Sequence, residues 1–236
     1  MENYEKNLSS LEDAYEEYAE LCGDAIDFIL PKLRSAKRAF EKNSRRNLIC
    51  SIDSRIKSFN STLEKCNRRN YEVSIEGIKQ HVLDVGGIRI VTPFRDDIFK
   101  VVDILHHIPG INVSNEKNYV TNPKENGYSS YHIQCLVEVY SPLSGGTKLV
   151  PVEIQIRDKA MDLWATVEHI VYYKKNDSNE IGTKFKIIAE VLRQFDDLAI
   201  ELRDITKTDE PINSAGDGNG QTVSDTIFAS PKNPAF

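Results

Sequence analysis

The feature that most restricts the fold is a pair of strand-like segments joined at Ser144-Gly145-Gly146-Thr147, a sequence typical of a tight turn. Residues 130–140 lead into this turn, and residues 148–157 lead out of it. In the second segment polar and apolar residues alternate, and successive side chains of a strand point to opposite faces. This predicts a hairpin with an apolar core face and a polar face, which either carries a site or faces solvent. The polar positions are Glu153, Gln155 and Arg157.

The stretch before the first segment combines a turn signal with aromatic and polar side chains. Asn126-Gly127 favours a turn, because both residues tolerate positive φ. Alternation then places Tyr128, Ser130 and His132 on one face of the strand. Such a junction suits a flat, polar ligand that can stack and form hydrogen bonds. An ordinary hairpin strand whose aromatic residues fill the core is the alternative.

Composition limits the class of protein. The 236 residues are enough for one domain with a sizeable core or for two small domains. No apolar run is long enough to span a membrane, and the acidic N-terminus lacks the pattern of a signal peptide. Four widely spaced cysteines, without a C-x-x-C pair, indicate reduced thiols rather than disulfides or a zinc site. We therefore expect a cytoplasmic protein.

Charge is distributed unevenly along the chain. The net charge of −6 argues against a general nucleic-acid coat, and residues 2–27 are rich in Glu and Asp. Residues 32–69, in contrast, carry many Lys and Arg side chains. A basic block in an acidic protein suggests a local site for a polyanion such as nucleotide phosphates, although a solvated helix face also produces such a run.

Four side chains at the end of the basic block form a candidate phosphate site. Arg55 and Lys57 are predicted to share one face of a short extended segment. Ser61 and Lys65 are four residues apart, which places them on one side of a helix. Cations and a hydroxyl on one surface suit a polyphosphate, and an Arg side chain can also lie flat on a base.

Residues 82–91 are predicted to form a buried strand in which Asp84 and Arg89 are the only charges. Buried charges are costly unless they are paired or bound to a metal. The two residues therefore indicate either a functional site or an Asp–Arg structural pair.

Helical patterns occupy both ends of the chain. Residues 1–44 are predicted to form N-terminal helices that kink or break at Pro31. Residues 183–207 are predicted to form a C-terminal helix whose long apolar stripe suits subunit contact. Between them, residues 114–125 are expected to form a polar loop, and residues 208–236 a disordered tail. Helix caps are predicted at Ser74 and Asp158.

Five short motifs occur in one order: R-x-K-x-x-x-S-x-x-x-K at 55–65, D-V-G-G-I-R at 84–89, N-G-Y-x-S-Y-H at 126–132, E-I-Q-I-R at 153–157 and W-A-T-V-E-H at 164–169. In this order they resemble the synthetase domain of the RelA/SpoT homologues. In length the chain is similar to the single-domain small alarmone synthetases, and the resemblance covers about residues 45–205. It implies an α/β fold with a mixed, mostly antiparallel sheet flanked by helices, as in nucleotidyltransferases. The synthetase domain is then expected to span residues 1–207.

The resemblance also implies an activity. Members of this family are pyrophosphokinases, which move the β,γ-diphosphate of ATP to the 3′-hydroxyl of GDP or GTP and release AMP. The products are the alarmones (p)ppGpp, and the reaction uses Mg²⁺. Relatives form homotetramers, and no metal-hydrolase domain with a His-Asp signature precedes the motifs, so we expect no alarmone hydrolase activity.

Individual residues receive roles from the matching motifs. Asp84 and Glu153 are expected to share the Mg²⁺ ion, and Glu153 to accept the proton of the attacking hydroxyl. Tyr128 is expected to stack on guanine, and Arg55 and Arg89 to sandwich adenine. The implied ATP-binding residues are Arg55, Lys57, Ser61, Lys65, Arg89 and Lys117. The implied acceptor-binding residues are Tyr128, His132, Gln155 and Arg157.

One departure from the family pattern leaves the acceptor open. Position 129 is Ser, where many small synthetases have Arg after the Tyr. Some members are toxins that transfer the same group to the 3′ end of tRNA or make adenosine alarmones, and this is the first alternative. A catalytically silent nucleotide-binding module is the second, and the two acids Asp84 and Glu153 argue against it.

Overall fold

The computed structural model describes residues 2–44, 46–141, 145–173 and 179–208. These residues form five strands and six helices. The strands are β1 Ser51–Ile56, β2 Gly86–Thr92, β3 Ile111–Asn118, β4 Tyr131–Ser141 and β5 Gly146–Asp158. The helices are α1 Glu2–Ser44, α2 Phe59–Arg69, α3 Ile75–His81, α4 Asp97–His107, α5 Lys159–Tyr173 and α6 Asn179–Thr208.

The five strands form one sheet in the order β1-β2-β5-β4-β3. Strands β2 and β5 are parallel, and the other neighbouring pairs are antiparallel. The predicted hairpin is the β4–β5 pair, although residues 142–144 of its turn lie outside the described residues. The mixed, mostly antiparallel sheet with flanking helices is therefore confirmed.

One face of the sheet forms the hydrophobic core. Its residues alternate along the strands, so that Ile88, Ile133, Ile154 and Ile156 are almost fully buried. Helix α1 packs against β2, β4 and β5 on this face. The opposite face is consequently free of α1 and carries the polar alternate residues.

Helix α1 is a continuous helix of 43 residues, so the expectation that it ends at Pro31 is wrong, and a kink there stays a prediction. A proline inside a helix costs about 3 kcal/mol, because it removes a hydrogen bond and crowds the preceding turn. Ile29 and Leu33, on either side of it, are fully buried. Burying two such side chains contributes about 3–6 kcal/mol, so packing against the sheet outweighs the proline penalty.

Two segments differ from their predicted structure. The predicted strand at 82–91 begins only at Gly86, and Asp84 lies in the turn between α3 and β2. Val82 and Val85 are apolar because this turn is buried, and an apolar run alone does not distinguish the two cases. The predicted loop at 114–125 is strand β3 as far as Asn118. As an edge strand, β3 exposes polar residues that resemble a loop in sequence.

The predicted helix caps are both present. The Ser74 side chain accepts a hydrogen bond from the Gly77 amide (3.0 Å), and the Asp158 carboxylate accepts one from the Met161 amide (2.7 Å). Asp158 thus begins α5 directly at the end of β5.

The C-terminal part of the described chain contains a second, smaller core. Trp164 of α5 and Phe185 of α6 are buried together with Tyr128, Met161 and Ala189. Helix α6 extends past the predicted boundaries at both ends, to Asn179–Thr208. Residues Met1–Glu201 form one compact unit, and a second unit begins at Leu202. The expected disordered tail lies outside the described residues from position 209 onward.

Candidate functional site

The polar face of the sheet gathers the predicted site residues. Strand register sets Arg55 opposite Gly87, Arg89 beside Gln155, and Gln155 beside His132. Residues that lie opposite each other or two apart along a strand point to the same face. The face accordingly combines side chains from all five strands, namely Arg55, Arg89, Lys117, His132, Glu153, Gln155 and Arg157.

Asp84 approaches this face from its turn and is held by two lysines. Lys65 Nζ lies 2.7 Å from its Oδ1, and Lys57 Nζ lies 3.2 Å from its Oδ2. Burial raises the pKa of Asp84, but the hydrogen bond and charge of Lys65, with the charge of Lys57, outweigh it. The pKa of Asp84 therefore lies below its ordinary value, and the carboxylate is ionised at neutral pH.

Glu153 lies near the centre of the sheet and is held by different partners. Gln155 Nε2 donates to its Oε2 (2.8 Å), and His132 Nδ1 lies 3.5 Å from its Oε1. Burial raises the pKa of Glu153. Hydrogen bonds from His132 and Gln155 together lower it by more, so the pKa lies below its ordinary value. Glu153 is thus a second ionised carboxylate on the same face.

The two carboxylates line one cavity of about 130 Å³. Arg55, Arg89 and Gln155 line it as well. Among the described residues no three acid, histidine or cysteine side chains gather as a ready metal cage. Mg²⁺ is usually held by one or two carboxylates together with water and substrate phosphates, so two ionised acids at one cavity fit this ion.

Tyr128 is more buried than its predicted stacking role suggests, with 8% of its surface exposed. Its hydroxyl lies 2.9 Å from His132 Nε2 and accepts a hydrogen bond from Arg157 (3.1 Å). Its ring packs edgewise on His132 and tilted against Trp164. Tyr128 therefore belongs both to the second core and to the polar face.

A larger cleft of about 830 Å³ adjoins these residues, within the usual size range of small-molecule binding sites. Arg55 and Arg89 line it together with Tyr128, Gln155 and Arg157. Helix α5 forms another wall, through Ala165, Thr166, Glu168, His169 and Ile170. The cleft thus connects the predicted adenine sandwich with the predicted acceptor residues.

Of the remaining predicted residues, Lys117 lies on the polar face, whereas two serines make contacts elsewhere. Lys117 lines a small cavity with His132 and Glu153, so it belongs to the same face. Ser61, in contrast, is exposed, and its hydroxyl accepts a hydrogen bond from that of Ser58 (2.9 Å) at the start of α2. Ser130, predicted on the ligand face, donates its hydroxyl proton to the carbonyl of Ile156 and supports the sheet.

Part of the basic block has a structural role. Arg46 makes two hydrogen bonds (2.6 and 2.7 Å) to Asp97, whose carboxylate is fully buried. Lys57 and Lys65, by contrast, reach the polar face at Asp84. Only this second part of the block supports the predicted phosphate site.

Two residues that line the cleft, Asn126 and Glu168, and the nearby Lys124 were not selected from the sequence. Lys124 Nζ lies 4.8 Å from the ring centroids of both Tyr119 and Tyr128. Asn126 Nδ2 donates to Glu168 Oε1 (2.8 Å), which joins the turn to α5. Burial raises the pKa of Glu168, while Lys124 and Arg157 act in the opposite direction. The motif at 164–169 contained a signal for Glu168, but Lys124 lies in a polar stretch without periodicity.

Comparison with known proteins connects this geometry to a family. Residues 54–178 match the sequence model described as "Region found in RelA / SpoT proteins". The GTP pyrophosphokinase YwaC of Bacillus subtilis is 32% identical over 181 residues, which cover 76% of this chain and 85% of YwaC. The chain belongs to the RelA/SpoT family.

Solved structures agree with this assignment. The small alarmone synthetase 1 from Bacillus subtilis bound to its product pppGpp superimposes with a TM-score of 0.74 at 29% identity, covering 83% of this chain and 98% of that one. The same synthetase bound to AMPCPP gives a TM-score of 0.68 at 27% identity, with coverages of 82% and 97%.

The RelA/SpoT match includes every strand that contributes to the polar face. It begins within β1 and ends after α5 at residue 178, so α1 and the whole of α6 lie outside it. The part of the chain that the structure describes contains no helix both long and apolar enough to cross a membrane.

Proposed function

We propose that the protein is a GTP pyrophosphokinase that transfers the β,γ-diphosphate of ATP to the 3′-hydroxyl of GDP or GTP. The products are (p)ppGpp and AMP. The observation that carries this proposal is the pair of ionised carboxylates, Asp84 and Glu153, at one cavity of a cation-lined face. Family membership and relatives named as GTP pyrophosphokinases support it.

ATP binds at the β1–α2 side of the face. Lys57 and Lys65 supply charge for the phosphates, and both ammonium groups already lie at Asp84. Arg55 and Arg89 line the adjoining cleft and offer planar guanidinium groups to adenine. Lys117 and Ser61 complete the proposed donor residues, and the AMPCPP-bound relative supports an ATP site in this fold.

Asp84 and Glu153 would hold Mg²⁺ together with substrate phosphates. When bound, the ion would supply positive charge that neutralises the phosphates and polarises the β-phosphorus. The chain's own residues position the reactants. Because phosphoryl transfer needs mainly positioning and charge stabilisation, the lysines at Asp84 and the arginines of the cleft supply most of the protein's contribution.

The acceptor nucleoside binds against Tyr128, with His132, Gln155 and Arg157 around its reacting end. Glu153 accepts the proton of the 3′-hydroxyl as the oxygen attacks, since its lowered pKa keeps it ionised. His132 and Gln155 fix both oxygens of that carboxylate. The pppGpp-bound relative supports a guanosine site of this kind.

We further propose a homotetramer in the cytoplasm. The first six turns of α6 expose large apolar side chains that a subunit contact would bury, namely Ile187, Ile188, Val191, Phe195 and Leu198. The four cysteines are free thiols, which suits a reducing compartment.

A label-transfer experiment tests the function. The protein is incubated with Mg²⁺ and ATP labelled in the γ-phosphate, with GDP, GTP, AMP or deacylated tRNA as separate acceptors. We expect label in GDP and GTP with equimolar release of AMP. Label in tRNA or AMP alone would instead identify the toxic branch of the family, and label in no acceptor would favour a silent nucleotide-binding module.

A further inference from the structure

Five side chains of the polar face form a closed ring of polar contacts. Arg157 contacts the Tyr128 hydroxyl and Gln155 Oε1 (3.1 and 3.0 Å). The Tyr128 hydroxyl contacts His132 Nε2 (2.9 Å), and His132 Nδ1 approaches Glu153 Oε1 (3.5 Å). Gln155 Nε2 closes the ring at Glu153 Oε2 (2.8 Å).

Donor chemistry sets the direction of three of the five contacts in this ring, and the tautomer of His132 sets the direction of the other two. A guanidinium group can only donate, so the oxygen of Tyr128 accepts from Arg157. The hydroxyl proton of Tyr128 is then available to His132 Nε2 in the tautomer whose Nε2 carries no proton. A neutral imidazole with Nε2 as acceptor carries its own proton on Nδ1, where it faces Glu153.

The second path from Arg157 to Glu153 passes through Gln155, and along it too each group donates a hydrogen bond toward Glu153. Gln155 accepts from Arg157 through its carbonyl oxygen and donates to Glu153 through its amide nitrogen. Both paths therefore start at Arg157 and end on the two oxygens of Glu153. Arg157 and Tyr128 expose only 7% and 8% of their surfaces, so solvent has little access to replace these contacts.

We propose that the hydroxyl of Tyr128 is a positioning group that selects the Nδ1–H tautomer of His132 and thereby orients Glu153 toward the acceptor hydroxyl. This inference rests on the proposed function and adds a role separate from stacking by the ring. Glu153 is a proposed Mg²⁺ ligand, and the loss of an outer-shell partner that orients a metal ligand typically lowers metal affinity or activity about 10- to 100-fold.

The first test reads the tautomer without turnover. ¹⁵N NMR of histidine-labelled protein, at a pH where the ring is neutral, distinguishes the protonated from the bare ring nitrogen, and His132→Gln assigns the signals. We expect Nδ1–H in the parent and a mixture of tautomers in Tyr128→Phe. Nε2–H in the parent, or an unchanged tautomer in the variant, would overturn the inference.

The second test separates positioning from binding. Tyr128→Phe keeps the ring and its packing against Trp164 (centroids 6.0 Å apart), so GDP binding by titration should stay within about twofold of the parent. We expect kcat to fall about 10- to 100-fold. Tyr119→Phe is the matched control, since Tyr119 packs on the rings of Tyr128 and His132 from outside the ring of contacts.

The outcomes distinguish this inference from the proposed function. Label transfer to GDP by the parent, combined with full kcat in Tyr128→Phe, would overturn the inference alone. A raised KM for GDP with unchanged kcat would assign the hydroxyl to acceptor binding and likewise overturn it. Label only in tRNA, with the expected tautomer change, would overturn the proposed acceptor and leave the role of the hydroxyl in place.

Discussion

Asp84 and Glu153 are two ionised acids at one cavity, but the protein holds them in different ways. Asp84 lies in a turn and is neutralised by the ammonium groups of Lys57 and Lys65. Glu153 lies on the strand β5 and is held by an imidazole and an amide, in a ring anchored by Arg157. Asp84 is held by lysines on long, flexible side chains, and Glu153 by partners on its own strand β5 and on the neighbouring strand β4.

This difference indicates different behaviour when substrates arrive. A lysine is a point charge on a flexible stem, so it can exchange Asp84 for a nearby phosphate at little conformational cost. The ring around Glu153 involves buried groups that would lose hydrogen bonds if they moved. We therefore expect the Asp84 side to rearrange on ATP binding and the Glu153 side to stay in place.

The largest effect should come from Asp84→Asn, which removes the negative charge of the acid that the two lysines hold. We expect transfer to be abolished with the fold retained, because the two lysines keep about a fifth of their side-chain surfaces in solvent. AMP release and circular dichroism measure the two properties. Asp53→Asn, an exposed acid lining the same cavity, is the control. Normal turnover by folded Asp84→Asn would mean that Asp84 is structural.

Tyr128→Ala tests the part of the site around Glu153, where we propose that the acceptor nucleoside binds. Loss of the ring should weaken GDP binding roughly tenfold or more, since base stacking contributes about 1–3 kcal/mol, and leave binding of a non-hydrolysable ATP analogue nearly unchanged. Titration of both ligands measures this. Because Tyr128 also packs in the second core, thermal unfolding of the variant must show that it is folded at the assay temperature. Parent-like GDP binding would place the guanine site elsewhere.

Lys57→Ala distinguishes the binding site for ATP, the donor, from the binding site for GDP, the acceptor. A charge-assisted phosphate contact contributes about 1.5–3 kcal/mol, so the KM for ATP should rise roughly tenfold or more while that for GDP changes little. Steady-state kinetics with each substrate varied would show this, with the exposed Lys148→Ala as control. A rise confined to the KM for GDP would mean that the two sites are reversed.

Asp196 is a third acid for the comparison. It is buried, and its nearest cationic contact among the described residues is Arg95 at 3.8 Å. We expect its substitution to have the smallest effect of the series. Burial and then repulsion from Asp158 raise the pKa of Asp196 to about 6. Because the pKa of Asp196 is higher in the folded state than in the unfolded state, the group stabilises the fold fully at pH values below its unfolded-state pKa. This contribution is lost as the pH rises through the folded-state pKa of about 6.

Asp196→Asn should therefore raise Tm at pH 8 by roughly a few degrees, with the difference shrinking toward pH 4. The amide can still accept from the Arg95 backbone, which Asp196 now does at 3.2 Å. Asp197→Asn, which removes a neighbouring and half-exposed acid, is the control. A gain in Tm that does not depend on pH would exclude ionisation as the cause.

The site was predictable from sequence wherever local periodicity carries the information. Alternation in β5 correctly placed Glu153, Gln155 and Arg157 on one polar face. The caps at Ser74 and Asp158 were predictable because capping depends on neighbouring amides. Asp84 was placed in a strand incorrectly, since a buried turn and a buried strand have the same apolar composition.

By itself, the sequence determined the family, the two faces of the hairpin and the identity of the acids. The tertiary structure decided which partner each acid has. Lys65 reaches Asp84 across 19 positions, and His132 meets Glu153 only because β4 and β5 pair in one register. A shift of one residue would reverse the faces of a strand, and the burial of a whole face, rather than any local pattern, selects the register.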